Sequence, residues 1–291
     1  MEKVTEIPQL GQRPVDSHKG TFGRVLIVGG SVGMSGACAI AGRAALRSGA
    51  GLVRVAAPES VVPIAAAVEP CYTTLALPQD DSGGMASSGA SSVCEEAARN
   101  DVVAFGPGAG TGRGARDVLL ALIGEPDLRL VIDADGLNNL AKTPLWPGRR
   151  RARVILTPHP GEIKRLWQGL LREPLPDDRI AAAVGLANET GCIVVLKGAG
   201  TVVTDGGRVY INATGNPGMA TAGAGDVLTG VIAALAGQGL GDFEAAVMGV
   251  YLHGLAGDIA AAKTGQVSLV ATDIIEALPA AFQSKMKASE A

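Results

Sequence analysis

Six short runs of the chain are rich in valine and other apolar residues, and all but one, which contains Arg54, are apolar at every position. A strand that exposes one face alternates apolar and polar residues, whereas a strand covered by helices on both faces is apolar throughout. The runs therefore predict buried strands of a parallel sheet. They span residues 25–28, 52–57, 102–105, 130–132, 154–156 and 193–196.

Helical stretches separate these runs, so that strand and helix alternate along the chain and predict right-handed βαβ units. One segment breaks the alternation: residues 201–204 and 208–211 are joined by Asp205-Gly206-Gly207, which predicts a β-hairpin added to the parallel sheet. The predicted helices cover residues 35–48, 115–123, 179–190, 226–236 and 244–262.

Composition narrows the class of protein. A chain of 291 residues without a shift in composition is expected to form a single α/β domain over 1–291, with its core at about 16–278. A hydrophobic content of 47% excludes a natively disordered chain. The net charge of −3 and an aromatic content of 3% predict no nucleic-acid partner, and the basic run at 149–153 is short.

The location of the protein is also predicted from the sequence. The first residues contain no apolar leader, and no long uninterrupted apolar stretch predicts a membrane span. The four cysteines are scattered, which fits a reducing compartment better than a disulfide framework. We therefore expect a cytoplasmic protein.

The strongest chemical signal is the glycine-rich segment 212–226, which runs into an apolar helix. The first turn of a helix offers free backbone N–H groups and the positive end of the dipole, and glycines allow a phosphate to come close. Asp226 lies at this point. Its carboxylate either balances the dipole or takes a proton from a hydroxyl that attacks a phosphoryl group, and the length of the glycine run favours the second role. No Walker A sequence is present.

Two further glycine-rich loops follow predicted strands. Residues 29–36 resemble a dinucleotide-binding motif only loosely, and a loop closing over part of a substrate is favoured. Residues 106–110 form either a plain turn or a wall of the substrate cleft, since ligands gather at the carboxyl ends of parallel strands. His253, in the last long predicted helix, is interpreted as a packed helix residue rather than a ligand.

Charged side chains follow three other predicted strands. Asp133 and Asp135 could hold Mg²⁺ through water or cap the next helix. His159 lies between two prolines and is predicted to be a positioned hydrogen-bond donor, while Glu162 could cap a helix or hold a hydrated metal ion. Lys197 is either solvated or in contact with a nucleotide, and the neighbouring glycines favour contact.

Taken together, several of these segments resemble one known family. They occur in the same order as in the ADP-dependent NAD(P)H-hydrate dehydratases, from about residue 16 to residue 278, and differ in that Ala224 stands where many relatives carry Thr, Ser or Met. The resemblance implies a ribokinase-like three-layer α/β/α sandwich with a mostly parallel central sheet. The segments are residues 18–23, 106–108, 157–162, 197–198 and 223–226.

The resemblance also implies an activity, the ADP-dependent dehydration of the S form of hydrated NADH or NADPH, with ATP as a possible donor. Asp226 would accept the proton of the ring hydroxyl while this hydroxyl attacks the β-phosphate of ADP. The N–H groups of Gly223, Ala224 and Gly225 would form an anion hole for the phosphoryl group. The products would be AMP, phosphate and NADH or NADPH.

By the same resemblance, the site residues fall into three groups. The hydrated nicotinamide nucleotide would contact Ala37, Gly108, His159 and Asp226. The adenine nucleotide would be held by Lys197, Gly198, Ala199, Gly200, Thr201 and Gly225. Mg²⁺ would be bound through water near Asn138 and Glu162. The relatives further imply a homotetramer and a separate NAD(P)H-hydrate epimerase, because the sequence before His18 has no room for a fused one.

Two other functions fit the same residues. A small-molecule kinase for a vitamin precursor or a sugar would use the same anion hole and Asp226, but would leave the phosphate on its product. A nucleotide-sensing protein would bind without turnover, and an intact Asp226 argues against it because a sensor needs no base.

Overall fold

Ten strands form one continuous sheet in the computed structural model, which describes residues 1–171 and 173–290, the last five by their backbone alone. Their order across the sheet is β1-β10-β9-β8-β7-β6-β5-β2-β3-β4. They are β1 (Glu2–Val4), β2 (Arg24–Val28), β3 (Leu52–Pro58), β4 (Thr73–Leu77), β5 (Val102–Phe105), β6 (Arg129–Ile132), β7 (Arg153–Leu156), β8 (Ile193–Leu196), β9 (Val202–Thr204) and β10 (Arg208–Ile211).

Ten α-helices connect these strands in the described part of the chain. The five predicted helices are confirmed as α1, α4, α7, α8 and α9. The helices are α1 (Ser35–Arg47), α2 (Val62–Val68), α3 (Ala90–Ala97), α4 (Arg113–Gly124), α5 (Asp135–Ala141), α6 (Pro160–Leu170), α7 (Arg179–Thr190), α8 (Ala224–Gly237), α9 (Asp242–Thr264) and α10 (Ala271–Glu290).

The sheet divides the apolar interior into two cores, because successive side chains of a strand point to opposite faces. In β2, Val25 and Ile27 join the core formed with α1, α2, α8, α9 and α10. Leu26 and Val28 join the core formed with α3 to α7. This arrangement explains why the predicted strands are apolar on both faces, apart from Arg54, and it forms the three layers that were predicted.

Strand direction confirms a mostly parallel sheet with a hairpin addition. Strands β2 to β8 are parallel to one another, and β9 runs antiparallel to both β8 and β10. The sequence analysis did not predict β1 or β4, which are the two edges of the sheet. Both are only partly covered and therefore carry polar residues such as Glu2 and Thr73, which hide the apolar pattern of a buried strand.

Helix α9 is the one described helix whose length and composition would allow it to cross a membrane. Its most apolar window is 61% buried inside the protein, and it packs between α8 and α10. A buried helix of this kind is apolar because it belongs to the core.

The order of the strands in the sheet reverses at β2, because β3 and β4 follow on one side of it and β5 lies on the other side. In a parallel sheet, the loops on either side of such a switch point separate and leave a crevice at the carboxyl ends of the strands. The backbone N–H of Gly30, after β2, donates to the carbonyl of Pro107, after β5, at 2.8 Å. The two loops predicted to contact the substrate therefore meet here.

We expect Gly230→Ala to destabilise the protein, because α8 crosses α1 at this glycine. A Cβ atom at Gly230 would lie 2.1 Å from the carbonyl oxygen of Ala41, so the helices would have to separate, at a cost of about 1–3 kcal/mol. The matched control is Gly237→Ala in the same helix, where the nearest atom would be 3.5 Å away. Urea unfolding measures both variants, and equal stabilities would contradict the packing argument.

Candidate functional site

A cavity of about 720 Å³ lies at the carboxyl ends of β7 and β8, between the glycine-rich segment before α8 and helix α9. All six residues that the resemblance implied for the adenine nucleotide line it. The lining includes His159, Lys197, Gly198, Ala199, Gly200, Thr201, Asn212, Thr214, Gly225 and His253.

Helix α9 holds the glycine-rich wall of this cavity in place. The amide group of Asn212 donates to the carbonyl of Val250 at 3.1 Å, and Asp258 accepts hydrogen bonds from Gly215 and Asn216, both at 2.9 Å. The sequence analysis did not single out Asp258. Its only signal in the sequence is a carboxylate within an otherwise apolar helix.

The start of α8 has the geometry expected for an anion hole. Gly223 is in the left-handed region with φ of 88°, and the helix begins at Ala224. Amides of a first turn have no acceptor within their own helix. The Ala224 N–H makes a long hydrogen bond of 3.4 Å to Thr221, while a Cβ atom at Gly225 would lie 3.3 Å from the Lys197 ammonium. A phosphoryl group here would therefore meet amide donors and a lysine together.

Asp226 lies in the first turn of α8 and is half-buried. Its carboxylate makes no hydrogen bond or ion pair with any residue that the structure describes. Burial and, secondarily, the charge of Asp133 raise the pKa of Asp226 to about 7, although Lys197 acts in the opposite direction. A carboxyl group with this pKa and no protein partner is suited to accept a proton near neutral pH.

Lys197 and Asp133 form a buried ion pair, with 2.5 Å between Nζ and Oδ1. Thr157 and Thr229 donate to the two oxygens of Asp133 at 2.7 and 2.9 Å. Although burial opposes ionisation, Lys197 holds the pKa of Asp133 below its ordinary value. Lys197 is thus neither solvated nor free, because its ammonium is fixed beside the start of α8.

The side chains of Asp133 and Asp135 do not lie side by side, so the structure does not bring them together as a carboxylate pair. Asp135 is the first residue of α5 and accepts from the Gly110 N–H at 2.9 Å, whereas Asp133 points to Lys197. Between them, Ala134 has the unusual φ of 48°, which sends the two side chains to different neighbours.

His159 and Glu162 cap the start of α6. Nδ1 of His159 accepts from the amides of Gly161 and Glu162 at 2.9 and 3.3 Å, and Glu162 accepts from the His159 N–H at 2.7 Å. Since Nδ1 of His159 accepts, the imidazole proton lies on Nε2, which is 3.3 Å from Oε1 of Glu162, so a donor role for His159 toward a substrate stays a prediction. For Glu162 the capping alternative is realised, and burial raises the pKa of Glu162 to about 7.

Ala37 and Gly108 are close together, as their shared role predicts, but outside the nucleotide cavity. A Cβ atom at Gly108 would lie 3.1 Å from that of Ala37, and Gly108 has a φ of 63°. Burial and, to a smaller extent, the charge of Asp226 raise the pKa of Cys38, next to Ala37, to about 12. Asp226 is therefore close to Cys38 of α1 and directly follows Gly225, which lines the nucleotide cavity.

Asn138 and Glu162, which were predicted to bind Mg²⁺ through water, do not form a site in which their own atoms would coordinate the metal ion together. Oδ1 of Asn138 accepts from Arg165 at 2.8 Å, and its amide donates to Asp135 at 3.2 Å. Asn138 lines a second, shallower cavity of about 440 Å³. Among the described residues, no group of three His, Cys, Asp or Glu side chains could hold a metal ion.

The sheet and cleft are similar to those of solved enzymes. The ADP/ATP-dependent NAD(P)H-hydrate dehydratase from Bacillus subtilis, co-crystallised with ATP and Mg²⁺, matches with a TM-score of 0.79 and 30% identity over 94% of each chain. Ribokinase from Thermotoga maritima matches with a TM-score of 0.56 and 16% identity over 90% of this chain and all of that one, a likeness of fold alone. The fold is therefore ribokinase-like, as the sequence resemblance implied.

A family model described as NAD(P)H-hydrate dehydratase matches residues 25–280, and the chain belongs to this family. It is 44% identical over 272 residues to the bifunctional NAD(P)H-hydrate repair enzyme Nnr of Moorella thermoacetica, which covers 93% of this chain and 51% of that protein. It is 40% identical over 259 residues to the ADP-dependent (S)-NAD(P)H-hydrate dehydratase of Neisseria meningitidis, covering 87% and 82%. The chain thus spans about half the length of the Nnr relatives that it matches.

Proposed function

We propose that the protein is an ADP-dependent hydro-lyase that converts the S form of hydrated NADH or NADPH back to NADH or NADPH. The observation that carries this proposal is the carboxylate of Asp226, which has no partner among the described residues and lies beside Gly225 of the cavity wall and near Cys38 of α1. The cavity would hold ADP, and the crevice beside Ala37 and Gly108 would hold the hydrated ring.

The reaction follows from the position of these groups. Asp226 takes the proton of the ring hydroxyl as this oxygen bonds to the β-phosphorus of ADP, and AMP leaves. The amides at the start of α8 and the Lys197 ammonium stabilise the charge on the transferring phosphoryl group. The electron pair of the ring nitrogen then expels phosphate, and loss of a proton from the neighbouring ring carbon restores the double bond.

Magnesium enters the proposal only as a partner of the nucleotide phosphates. Mg²⁺ keeps several waters and is commonly bound by substrate phosphates with few protein ligands, which suits the absence of a direct site among the described residues. We propose in addition a cytoplasmic homotetramer that works with a separate epimerase, as the family resemblance implied. ATP as the donor is part of the same proposal.

The test is to incubate the protein with hydrated NADH, Mg²⁺ and either ADP or ATP. The expected result is recovery of the absorbance of the reduced ring, with one phosphate released per ring restored. A stable phosphorylated product would instead indicate a kinase, and saturable binding without turnover would indicate a sensor. Either outcome would overturn the proposed function.

Activity should rise with pH and level off above about pH 7. Asp226, with its pKa of about 7, is protonated below this pH and cannot accept the hydroxyl proton, so kcat/KM falls about tenfold per pH unit on the acid side. The charge of Glu162, whose pKa is also about 7, contributes a small part of the rise in the pKa of Asp226. Glu162→Gln removes a negative neighbour and should move the limb to lower pH. A flat profile from about pH 5.5 to 8.5 would argue against a carboxylate base.

A further inference from the structure

Arg179 is the first residue of α7 and lies beside the nucleotide motif at residues 197–201. Its guanidinium group donates hydrogen bonds to three backbone carbonyls in or next to this motif. They are those of Leu196 and Lys197, both at 3.1 Å, and that of Ala199. In the described structure Arg179 does not line the cavity itself, and the proposed reaction gives it no role.

The position of Arg179 is not one that α7 by itself would favour. A positive charge in the first turn opposes the helix dipole, which favours acidic residues there. Asp178, the residue before it, does not offset the charge by an ion pair but accepts from the Ala181 N–H at 2.9 Å. Among the described residues, the partners of the guanidinium are therefore the carbonyls of the motif and not a carboxylate.

These hydrogen bonds fix the direction of the amides that follow the carbonyls. In a trans peptide unit the C=O and N–H bonds point in opposite directions, and the described chain contains no cis peptide bond. Lys197 and Ala199 turn their carbonyls to Arg179. The N–H groups of Gly198 and Gly200 must therefore point away from Arg179.

The same two amides belong to the cavity wall. Gly198 and Gly200 line the cavity, and neither N–H group has an acceptor among the described residues. Two more carbonyls of the motif are used inside the protein: that of Gly198 accepts from the Thr201 hydroxyl, and that of Thr201 accepts from the Asn212 N–H, both at 2.9 Å. The acceptors of the loop are thus occupied while its donors stay available, as in backbone sites that bind anions.

We infer that Arg179 is a positioning residue for the nucleotide. Its guanidinium holds the carbonyls of Lys197 and Ala199, so that the amides of Gly198 and Gly200 are directed to ADP and donate to its oxygens. Arg179 acts through the loop and does not touch ADP. The inference rests on the proposed function, because it takes ADP to be the occupant.

The experiment compares Arg179→Met and Arg179→Lys with a matched control, Arg150→Lys. Arg150 also donates to two backbone carbonyls, those of Ala152 at 2.7 Å and Gly191 at 3.3 Å. These carbonyls precede β7 and β8, so they lie at the edge of the sheet opposite to the cavity. A lysine keeps the charge in each case, but its single ammonium cannot replace the planar guanidinium that spans several acceptors.

The expected result is a change in the KM for ADP that is separate from kcat. Arg179→Met should raise the KM and the Kd for ADP by about 10–100-fold, since amide donors to a charged ligand are no longer held in place. Arg179→Lys should raise both by less, and Arg150→Lys should match the wild type. The KM for hydrated NADH and kcat at saturating ADP should stay within a few-fold in all three variants.

Urea unfolding separates positioning from a purely structural role. If Arg179 only fastens α7 to the sheet, Arg179→Lys and Arg150→Lys should both lower the unfolding midpoint and leave the KM for ADP of the folded protein unchanged. That result would overturn the inference. An equal rise in the KM values for ADP and hydrated NADH would also overturn it, because the loop would then not act on the nucleotide alone.

Hydrogen exchange of the backbone amides gives a measurement that does not depend on how the variants fold. Bound ADP should slow the exchange of the Gly198 and Gly200 amides in the wild type. In Arg179→Lys saturated with ADP, the same amides should be protected less. Absence of protection in the wild type with bound ADP would refute the inference and leave the proposed function intact, whereas failure of the wild type to bind ADP would refute the proposed function.

Discussion

Asp226→Asn is expected to lower kcat by about 10²–10⁴-fold, the usual contribution of a general base. The asparagine keeps the size of the side chain at the start of α8 but cannot take a proton. ADP binding should remain within a few-fold, because the amides and Lys197 that would hold the phosphates are unchanged. Single-turnover recovery of the reduced ring measures the rate, and calorimetry measures ADP binding.

The pH profile supplies the control for this variant. The residual activity of Asp226→Asn should lose the acid limb near pH 7, since the group that causes it has been removed. Asp226→Glu keeps a carboxylate but moves it by one methylene, and it should also be slow because proton transfer requires the correct reach. Near-normal turnover by the asparagine variant would remove Asp226 as the base.

Lys197→Met is expected to destabilise the fold by about 3–5 kcal/mol, because it leaves the buried carboxylate of Asp133 without its counter-charge. The double variant Asp133→Asn with Lys197→Met removes both charges and should recover much of this loss. ADP binding should fall in both variants, since neither has the ammonium. Urea unfolding gives the stabilities, and ADP titration gives the affinities.

A surface ion pair provides the matched control for Lys197→Met. Arg113 and Asp117 are 3.5 Å apart, and the arginine side chain is 84% exposed. Arg113→Met should therefore change the free energy of unfolding by less than about 1 kcal/mol. If Lys197→Met lowers the free energy of unfolding no more than this control does, the variant contains no uncompensated buried charge. The assignment of the ion pair between Lys197 and Asp133 would then be wrong.

The hairpin and the edge strands show how far local pattern determines the fold. Asp205-Gly206-Gly207 predicts the turn between β9 and β10 because those residues by themselves favour it. The edge strands β1 and β4 escaped prediction because their pairing depends on a neighbour and not on their own apolar pattern. The register of Glu2 beside Arg208, for example, pairs two residues that are 206 positions apart in the chain.

The candidate site, like the sheet, could be predicted from the sequence only in part. The glycine-rich approach to Asp226, and the loop that carries Lys197, could be found in the sequence because an anion hole needs glycines, a helix start and a charge close together. The partners of these residues could not be found. Asp133 pairs with Lys197, which is 64 positions away in the chain. His253 lines the cavity although the sequence of its helix is typical of a buried core helix.

The sequence by itself therefore determined the parallel sheet and the strand-end location of the site, and it predicted Asp226 as the base. Only the tertiary structure decided that Asp133 is the counter-charge of Lys197, that His159 accepts hydrogen bonds as a helix cap, and that His253 lines the cavity. The reason is physical. The apolar pattern and the backbone preferences of a segment are set by residues that are close together in the sequence. Hydrogen bonds and ion pairs between residues far apart in the sequence form only when packing brings their helices and strands together.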